Sequence, residues 1–145
     1  MDELIQEMKV TLASTFAFYL KAHGFHWNVE GANFPQYHEF LGDVWEEVFG
    51  AVDPLAEHLR TLEAYAPASL ARYIELSIIK DEVNIPAAIS MMSKLRNDNQ
   101  AIIEQLTKTQ SLAEKQKKMG LANYIQDRID AHEKHGWMLR SITKA

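Results

Sequence analysis

The chain has 145 residues, of which 47% are hydrophobic and 24% are charged, and its formal net charge is −5 with the histidines neutral. A chain of this length is expected to form a single domain over residues 1–145 that buries roughly 70% of the surface of the unfolded chain. It contains no cysteine, which excludes disulfide bonds and thiolate metal sites and leaves histidine, aspartate and glutamate to bind any metal.

Apolar residues recur at helical spacing along the whole chain, and no segment alternates as strictly as a β-strand does. A first helix is predicted over Asp2–Asn28 and a second over Phe34–Leu62, with a turn at residues 29–32 between them. Pro54 lies inside the second helix, four residues after Gly50. Because proline removes a backbone hydrogen bond and crowds the carbonyl four residues back, it predicts a kink there.

The second half of the chain predicts two more long helices after a long connection. That connection, residues 63–83, contains a short predicted helix, Ala68–Glu75, and connections of this length usually cross from one helix pair to the other. Asn84 is predicted to cap a third helix that ends near Thr109. A fourth helix is predicted from residue 112 or 113 to Ile142. The fold class predicted is therefore all-α, a four-helix bundle with a short helix in the crossover between helices two and three.

Histidines and carboxylates at helical spacing are candidates for binding an ion such as Fe²⁺, which accepts imidazole and oxygen ligands. His23 and His26 are about one helical turn apart, His38 follows in the next helix, and Asp53 and Glu57 share one helix face. An acidic pair alone is usually a solvated surface, and a lone histidine is more often a packed residue. None of these groups decides the function by itself.

A di-iron site inside one bundle needs Glu-x-x-His motifs that project inward. No glutamate in this sequence has a histidine three residues later, and Glu133 and His135 are only two residues apart. An intrasubunit di-iron site is therefore not predicted. His132 and His135, one turn apart, are assigned a structural role, with adventitious metal binding as the alternative.

Several segments resemble the Dps family of mini-ferritins. His26–Phe34, with the sequence HWNVEGANF, and the following His38 are similar to the signature of that family. Val52–Arg60, with the sequence VDPLAEHLR, resembles its D-x-x-A-E-R segment. The resemblance extends to the crossover helix, near residues 67–77, and to the last helix, near residues 132–140. It covers nearly the whole chain and implies a ferritin-like four-helix bundle.

The resemblance also implies how a site is assembled. In that family twelve subunits form a hollow shell, and the ferroxidase centre lies across a two-fold interface. Carried over by position, His26 and His38 of one chain and Asp53 and Glu57 of its partner are expected to bind iron and carry the catalysis. The implied activity is a ferroxidase that oxidises Fe(II) with hydrogen peroxide or dioxygen, stores Fe(III) and limits oxidative damage.

Two features of the sequence depart from the family pattern. Gly42 stands where the family usually carries an acidic residue near the second iron. Lys115, Lys117 and Lys118 lie where many members place acids at the iron entrance.

The alternative function is a cage that compacts DNA and has weak or no ferroxidase activity, since many Dps proteins bind DNA through lysine-rich tails. Neither end of this chain is a basic arm and its net charge is −5, so we expect DNA binding to be weak or absent.

The sequence also bears on location. Its apolar runs are shorter than the ~18–20 residues that a membrane span needs. The acidic start, MDELIQEM, lacks the basic region of a secretory signal. We therefore expect a cytoplasmic protein with no membrane partner.

Overall fold

The structure is a computed structural model and describes residues 1–144. Over this range the chain forms helices and no β-strand, which confirms the predicted all-α class. The helices are α1 (Asp2–Asn28), α2 (Phe34–Phe49), α3 (Val52–Thr61), α4 (Leu70–Leu76), α5 (Ala88–Lys115) and α6 (Met119–Thr143). None of them is long and apolar enough to cross a membrane.

Four long helical stretches form the bundle: α1, the interrupted pair α2 and α3, α5, and α6. Helix α1 packs against α2 and α5, α5 packs against α6, and the short crossover helix α4 lies against α1. The largest fully buried side chains come from all of α1, α2, α3 and α5, and they are Leu4, Met8, Leu12, Phe18, Leu41, Leu55, Leu59, Met91, Met92, Leu95, Ile102 and Leu106. The apolar periodicity that predicts the helices is therefore also the pattern that fills the core.

The kink predicted at Pro54 is a break between two helices. Helix α2 ends and α3 begins on either side of Gly50 and Ala51. Pro54 has no N–H to donate to the carbonyl of Gly50, so the regular ladder cannot continue. The N–H of Ala51 donates instead to the carbonyl of Val48, three residues back, at 3.0 Å. As a result, Asp53 lies in the first turn of a new helix.

The starts of α4 and α5 differ from the prediction. Helix α4 begins at Leu70, two residues later than predicted, because Ser69 is its cap and accepts a hydrogen bond from the N–H of Arg72 at 3.2 Å. Helix α5 begins at Ala88, so the prediction that Asn84 caps it is wrong. Proline disfavours helical geometry in the residue before it, which explains why the helix starts only after Pro86.

The turn between α5 and α6 lies later than predicted. Helix α5 continues to Lys115, and the chain reverses over residues 116–118. Lys117 has a φ of 58°, and the N–H of Lys118 donates to the carbonyl of Ala113 at 2.9 Å. This is the pattern of a Schellman turn, in which glycine is the usual left-handed residue. Because a lysine holds that position here, the sequence gives no glycine signal for the turn, and Gly120 lies inside α6 instead.

Candidate metal centre

Two of the four predicted metal ligands are adjacent in the structure. His26 lies in the last turn of α1 and His38 in the second turn of α2, so the short turn between these helices brings them together. Nδ1 of His26 is 2.6 Å from the carbonyl oxygen of His38, and Nδ1 of His38 is 2.7 Å from the carbonyl oxygen of His26. The two rings stack with centroids 3.8 Å apart and planes inclined by 15°.

These reciprocal bonds determine which nitrogen of each ring can bind a metal. A carbonyl oxygen only accepts hydrogen bonds, so each Nδ1 must carry the proton and donate it. The lone pair of each neutral ring is then on Nε2, and neither Nε2 has a hydrogen-bond partner among residues 1–144. Metal-binding histidines are usually oriented in this way, by a hydrogen bond from the nitrogen that does not bind the metal.

An aromatic cluster supports one side of His26. The ring of His23 stacks on that of Trp45, with the ring centroids 3.8 Å apart and the planes inclined by 9°. It also packs against the ring of Trp27, with a centroid distance of 4.1 Å and an inclination of 40°. Tyr19 forms a 3.0 Å hydrogen bond with Nδ1 of His23. Burial and the neighbouring His26 lower the pKa of His23 and favour its neutral form. His23 is therefore a packed residue of this cluster.

Gly42 lies directly against the ring of His26. A Cβ atom added to it would be 3.1 Å from Cε1 and 3.3 Å from Nδ1 of that ring. These distances are shorter than ordinary van der Waals contacts, so a side chain at position 42 would push the ring by a few tenths of an ångström. Gly42, which stands where the family pattern has an acidic residue, therefore leaves room for the imidazole ring of His26.

The other two predicted ligands, Asp53 and Glu57, lie one turn apart on the exposed face of α3. A hydrogen bond from Glu57 to Asp53 and the negative charge of Asp53 raise the pKa of Glu57. A cation that binds there competes with protonation of Glu57, so its binding should strengthen as the pH rises through the raised pKa.

The histidine pair and the carboxylate pair do not form one site within a single chain. Among residues 1–144, no group of three or more histidine, aspartate or glutamate side chains is placed to hold a metal ion.

Sequence reasoning missed a polar network inside the bundle. Glu47 of α2 accepts hydrogen bonds from the guanidinium of Arg128 and, at 2.9 Å, from Nε2 of His135. Partial burial of Glu47 would raise its pKa, but the bonds from His135 and Arg128 outweigh that effect and hold the pKa well below its usual range. Glu47 and Arg128 are 81 residues apart in the sequence, so no local pattern predicts their contact. The available sequence signal for the network was the helical spacing of residues 128, 132 and 135, which places them on one face of α6.

Comparisons with known proteins agree with the fold. A sequence model of the ferritin-like domain matches residues 5–145, which defines the class as ferritin-like. The DNA protection during starvation protein of Brevibacillus brevis is 33% identical over 132 residues, which are 90% of this chain and 88% of that protein. Antigen TpF1 of Treponema pallidum is 32% identical over 143 residues, which are 98% of this chain and 81% of that antigen.

Solved structures show the same similarity in three dimensions. The crystal structure of the Dps protein of Bacillus brevis superposes with a TM-score of 0.94 at 28% identity, covering 99% of this chain and 96% of that one. The Dps protein of Vibrio cholerae O1, a member of the ferritin-like diiron-carboxylate superfamily, gives a TM-score of 0.94 at 26% identity, covering 99% of this chain and 90% of that one. The chain belongs to the Dps family of ferritin-like proteins.

The contact between Gly42 and His26 yields a prediction in which stability and metal binding change in opposite directions. Replacing a glycine inside a helix with alanine is expected to stabilise the fold by about 0.5–1 kcal/mol, less the cost of moving the ring. The displaced ring should bind metal more weakly. We expect Gly42→Ala to keep or raise the midpoint of thermal unfolding and to weaken the binding of Fe²⁺ in anaerobic titrations.

Gly24→Ala is the matched control, since Gly24 lies in α1 and an added Cβ there has nothing within 4 Å. It should change stability without changing metal binding. Unchanged Fe²⁺ affinity in Gly42→Ala would show that the position of the ring does not matter for binding.

Proposed function

We propose that this protein oxidises Fe(II) with hydrogen peroxide at a ferroxidase centre shared by two subunits and stores the Fe(III) product. In the proposed centre, His26 and His38 of one chain and Asp53 and Glu57 of its partner bind the iron. The subunits would assemble into a closed shell of twelve, as the resemblance implies, with the product inside. The function is protection against peroxide and free Fe(II).

The single observation that carries the proposal is the reciprocal bonding of His26 and His38. Two stacked imidazoles, each with Nδ1 committed to a carbonyl and Nε2 without a partner, are oriented as ligands before any metal arrives. Nitrogen ligands of this kind suit Fe(II), and carboxylates supply the oxygen ligands that stabilise Fe(III). Within one chain the histidines lack such carboxylates, and the pair on α3 is exposed and available to another subunit.

Exposed apolar side chains support a contact between subunits. Leu20 of α1 is 44% exposed, and Leu70 and Ile74 of α4 are 68% and 69% exposed. They border one groove between α1 and α4, together with Phe16 and Tyr73. Contiguous apolar surface of this kind commonly marks a protein–protein interface. A second copy of the chain on this face would bring further residues close to the end of α1 that carries His26.

The reaction balances without another reductant. Two Fe(II) ions each give one electron, and peroxide accepts both as its O–O bond breaks, with two protons completing two molecules of water. The part of the protein is to bind and orient the ions. Pairing two ions with one peroxide avoids the one-electron step that would release hydroxyl radical.

The first experiment is an anaerobic titration with Fe²⁺ followed by the absorbance change on adding hydrogen peroxide. We expect rapid oxidation that saturates near two irons per subunit, or near one if Gly42 leaves the second position without a ligand. The double variant Asp53→Ala/Glu57→Ala should oxidise iron about 10–100-fold more slowly, because its carboxylate ligands are gone. Glu133→Ala, which removes an exposed carboxylate of α6, is the control and should keep the wild-type rate. A wild-type rate in the double variant would refute the site.

A mixing experiment tests whether the site is shared. Chains that carry His26→Ala/His38→Ala are co-expressed with chains that carry Asp53→Ala/Glu57→Ala. Each parent alone should oxidise iron much more slowly than the wild type. At a two-fold interface the same patch is used twice, so each mixed interface contains one intact and one doubly altered site. A mixture that oxidises iron faster than either parent supports a shared centre, and a mixture as slow as its parents contradicts it.

DNA compaction remains the alternative function, and one observation favours it. Lys115, Lys117 and Lys118 are all exposed and lie around the turn between α5 and α6. The net charge of −5 opposes it. We expect no retardation of DNA in a gel-shift series, even at low ionic strength, where binding to phosphate is strongest. Retardation that disappears in Lys115→Ala/Lys117→Ala/Lys118→Ala would establish the alternative.

A further inference from the structure

A layer of polar side chains inside the bundle joins three of its four long helical stretches. Glu47 comes from α2, Asn99 from α5, and Arg128 and His132 from α6, while the ring of Phe18 from α1 lies 5.5 Å from that of His132. Ferritin-like carboxylate proteins bind metal in a comparable place, with side chains that project inward from facing helices. In this chain a guanidinium lies in the layer.

The guanidinium of Arg128 contacts potential metal ligands. It donates to both carboxylate oxygens of Glu47, at 2.9 Å from Nη2 to Oε1. The same Nη2 is 3.3 Å from Nε2 of His132, and Oε1 of Glu47 also accepts from Nε2 of His135 at 2.9 Å. The Arg128 side chain is only 7% exposed, so it belongs to the interior.

His132 is oriented as a metal-binding histidine would be. Asn99 donates from Nδ2 to the carbonyl of His132 at 2.8 Å, which leaves the amide oxygen of Asn99 to accept from Nδ1–H of the same histidine, also at 2.8 Å. Nε2 of His132 therefore carries a lone pair, and that lone pair faces a cation, the guanidinium of Arg128. In metal sites, a histidine ligand typically makes a hydrogen bond of this kind through the ring nitrogen that does not bind the metal.

We propose that Arg128 is a built-in cation that closes a metal site made of Glu47, His132 and His135 in the interior of the bundle. Two imidazoles and one carboxylate are a ligand set for a single divalent transition-metal ion such as Fe²⁺, Co²⁺ or Zn²⁺. Arginine stays charged at every pH at which the protein is folded, so the site stays closed. Among residues 1–144, no group of three or more such ligands is placed to hold a metal ion, so we expect an ion here only after the guanidinium has been removed.

The consequence is that Fe²⁺ is excluded from the interior of each bundle and is left to sites on its surface. The proposal does not depend on the shared ferroxidase centre, because every group in it belongs to one chain. It also gives His132 and His135 a role beyond packing.

The test is anaerobic titration with Co²⁺, whose visible absorption reports its coordination, using the assembled protein. Arg128→Ala and Arg128→Gln should each bind one more Co²⁺ per chain than the wild type. Arg128→Lys, which keeps a cation at the position, should bind no more than the wild type. Counting only the difference from the wild type removes any contribution of the interface site, whether or not that site binds metal.

Combining substitutions in one chain identifies the ligands of the additional ion. Adding Glu47→Gln or His135→Ala to Arg128→Gln should abolish the additional ion, while adding Glu133→Ala should not. An additional ion that persists without Glu47 and His135 would place it elsewhere and overturn the proposal. Folded Arg128→Ala or Arg128→Gln protein that binds no additional Co²⁺ would overturn it as well. The glutamine variant keeps a polar group in the layer, so it carries the test if the alanine variant fails to assemble.

Discussion

The candidate centre depends on one pair of hydrogen bonds, those that join Nδ1 of His26 and of His38 to each other's carbonyl oxygen. The carbonyl of His26 lies in the last turn of α1, where a helix has no N–H left to satisfy it. His38 supplies the missing donor. The same contact therefore satisfies the end of a helix, closes the turn into α2 and fixes the orientation of both rings. Local folding of this corner and the geometry of the centre cannot be separated.

The bundle interior constrains the position of α2 from the opposite end. Helix α2 packs mainly against α1, and Glu47, near its last turn, bonds to Arg128 and His135 of α6. Glu47 is 37% exposed while Arg128 is 7% exposed. Loss of the carboxylate would therefore cost about 1–3 kcal/mol, between the values typical of surface and of buried ion pairs, because the guanidinium has little water to replace it. The helix that carries His38 is thus held at both ends by polar contacts.

Sequence reasoning predicted elements with strong local signals. The bounds of α1 were predicted correctly, and Pro54 predicted the interruption before α3. The turn between α5 and α6 was placed too early because Lys117 takes a left-handed conformation that usually calls for glycine. The four candidate ligands came from spacing and family resemblance. The reciprocal hydrogen bonds of His26 and His38, and the pairing of Glu47 with Arg128, join residues that only the tertiary fold brings together. No local sequence pattern predicts them.

The charge of the proposed centre bears on the meaning of Gly42. An imidazole that binds a metal through its lone pair carries no charge, so the two carboxylates Asp53 and Glu57 supply two negative charges, which balance one divalent ion. A second Fe²⁺ would need further negative charge, and an acid at position 42 would have supplied it. That acid would also have brought a Cβ to within 3.1 Å of Cε1 of His26. With the rings stacked as they are, a side chain at position 42 would press against the ring of His26. If the proposed centre takes a second iron, hydroxide or the oxidant would have to supply the remaining negative charge, and we expect that ion to bind more weakly than the first.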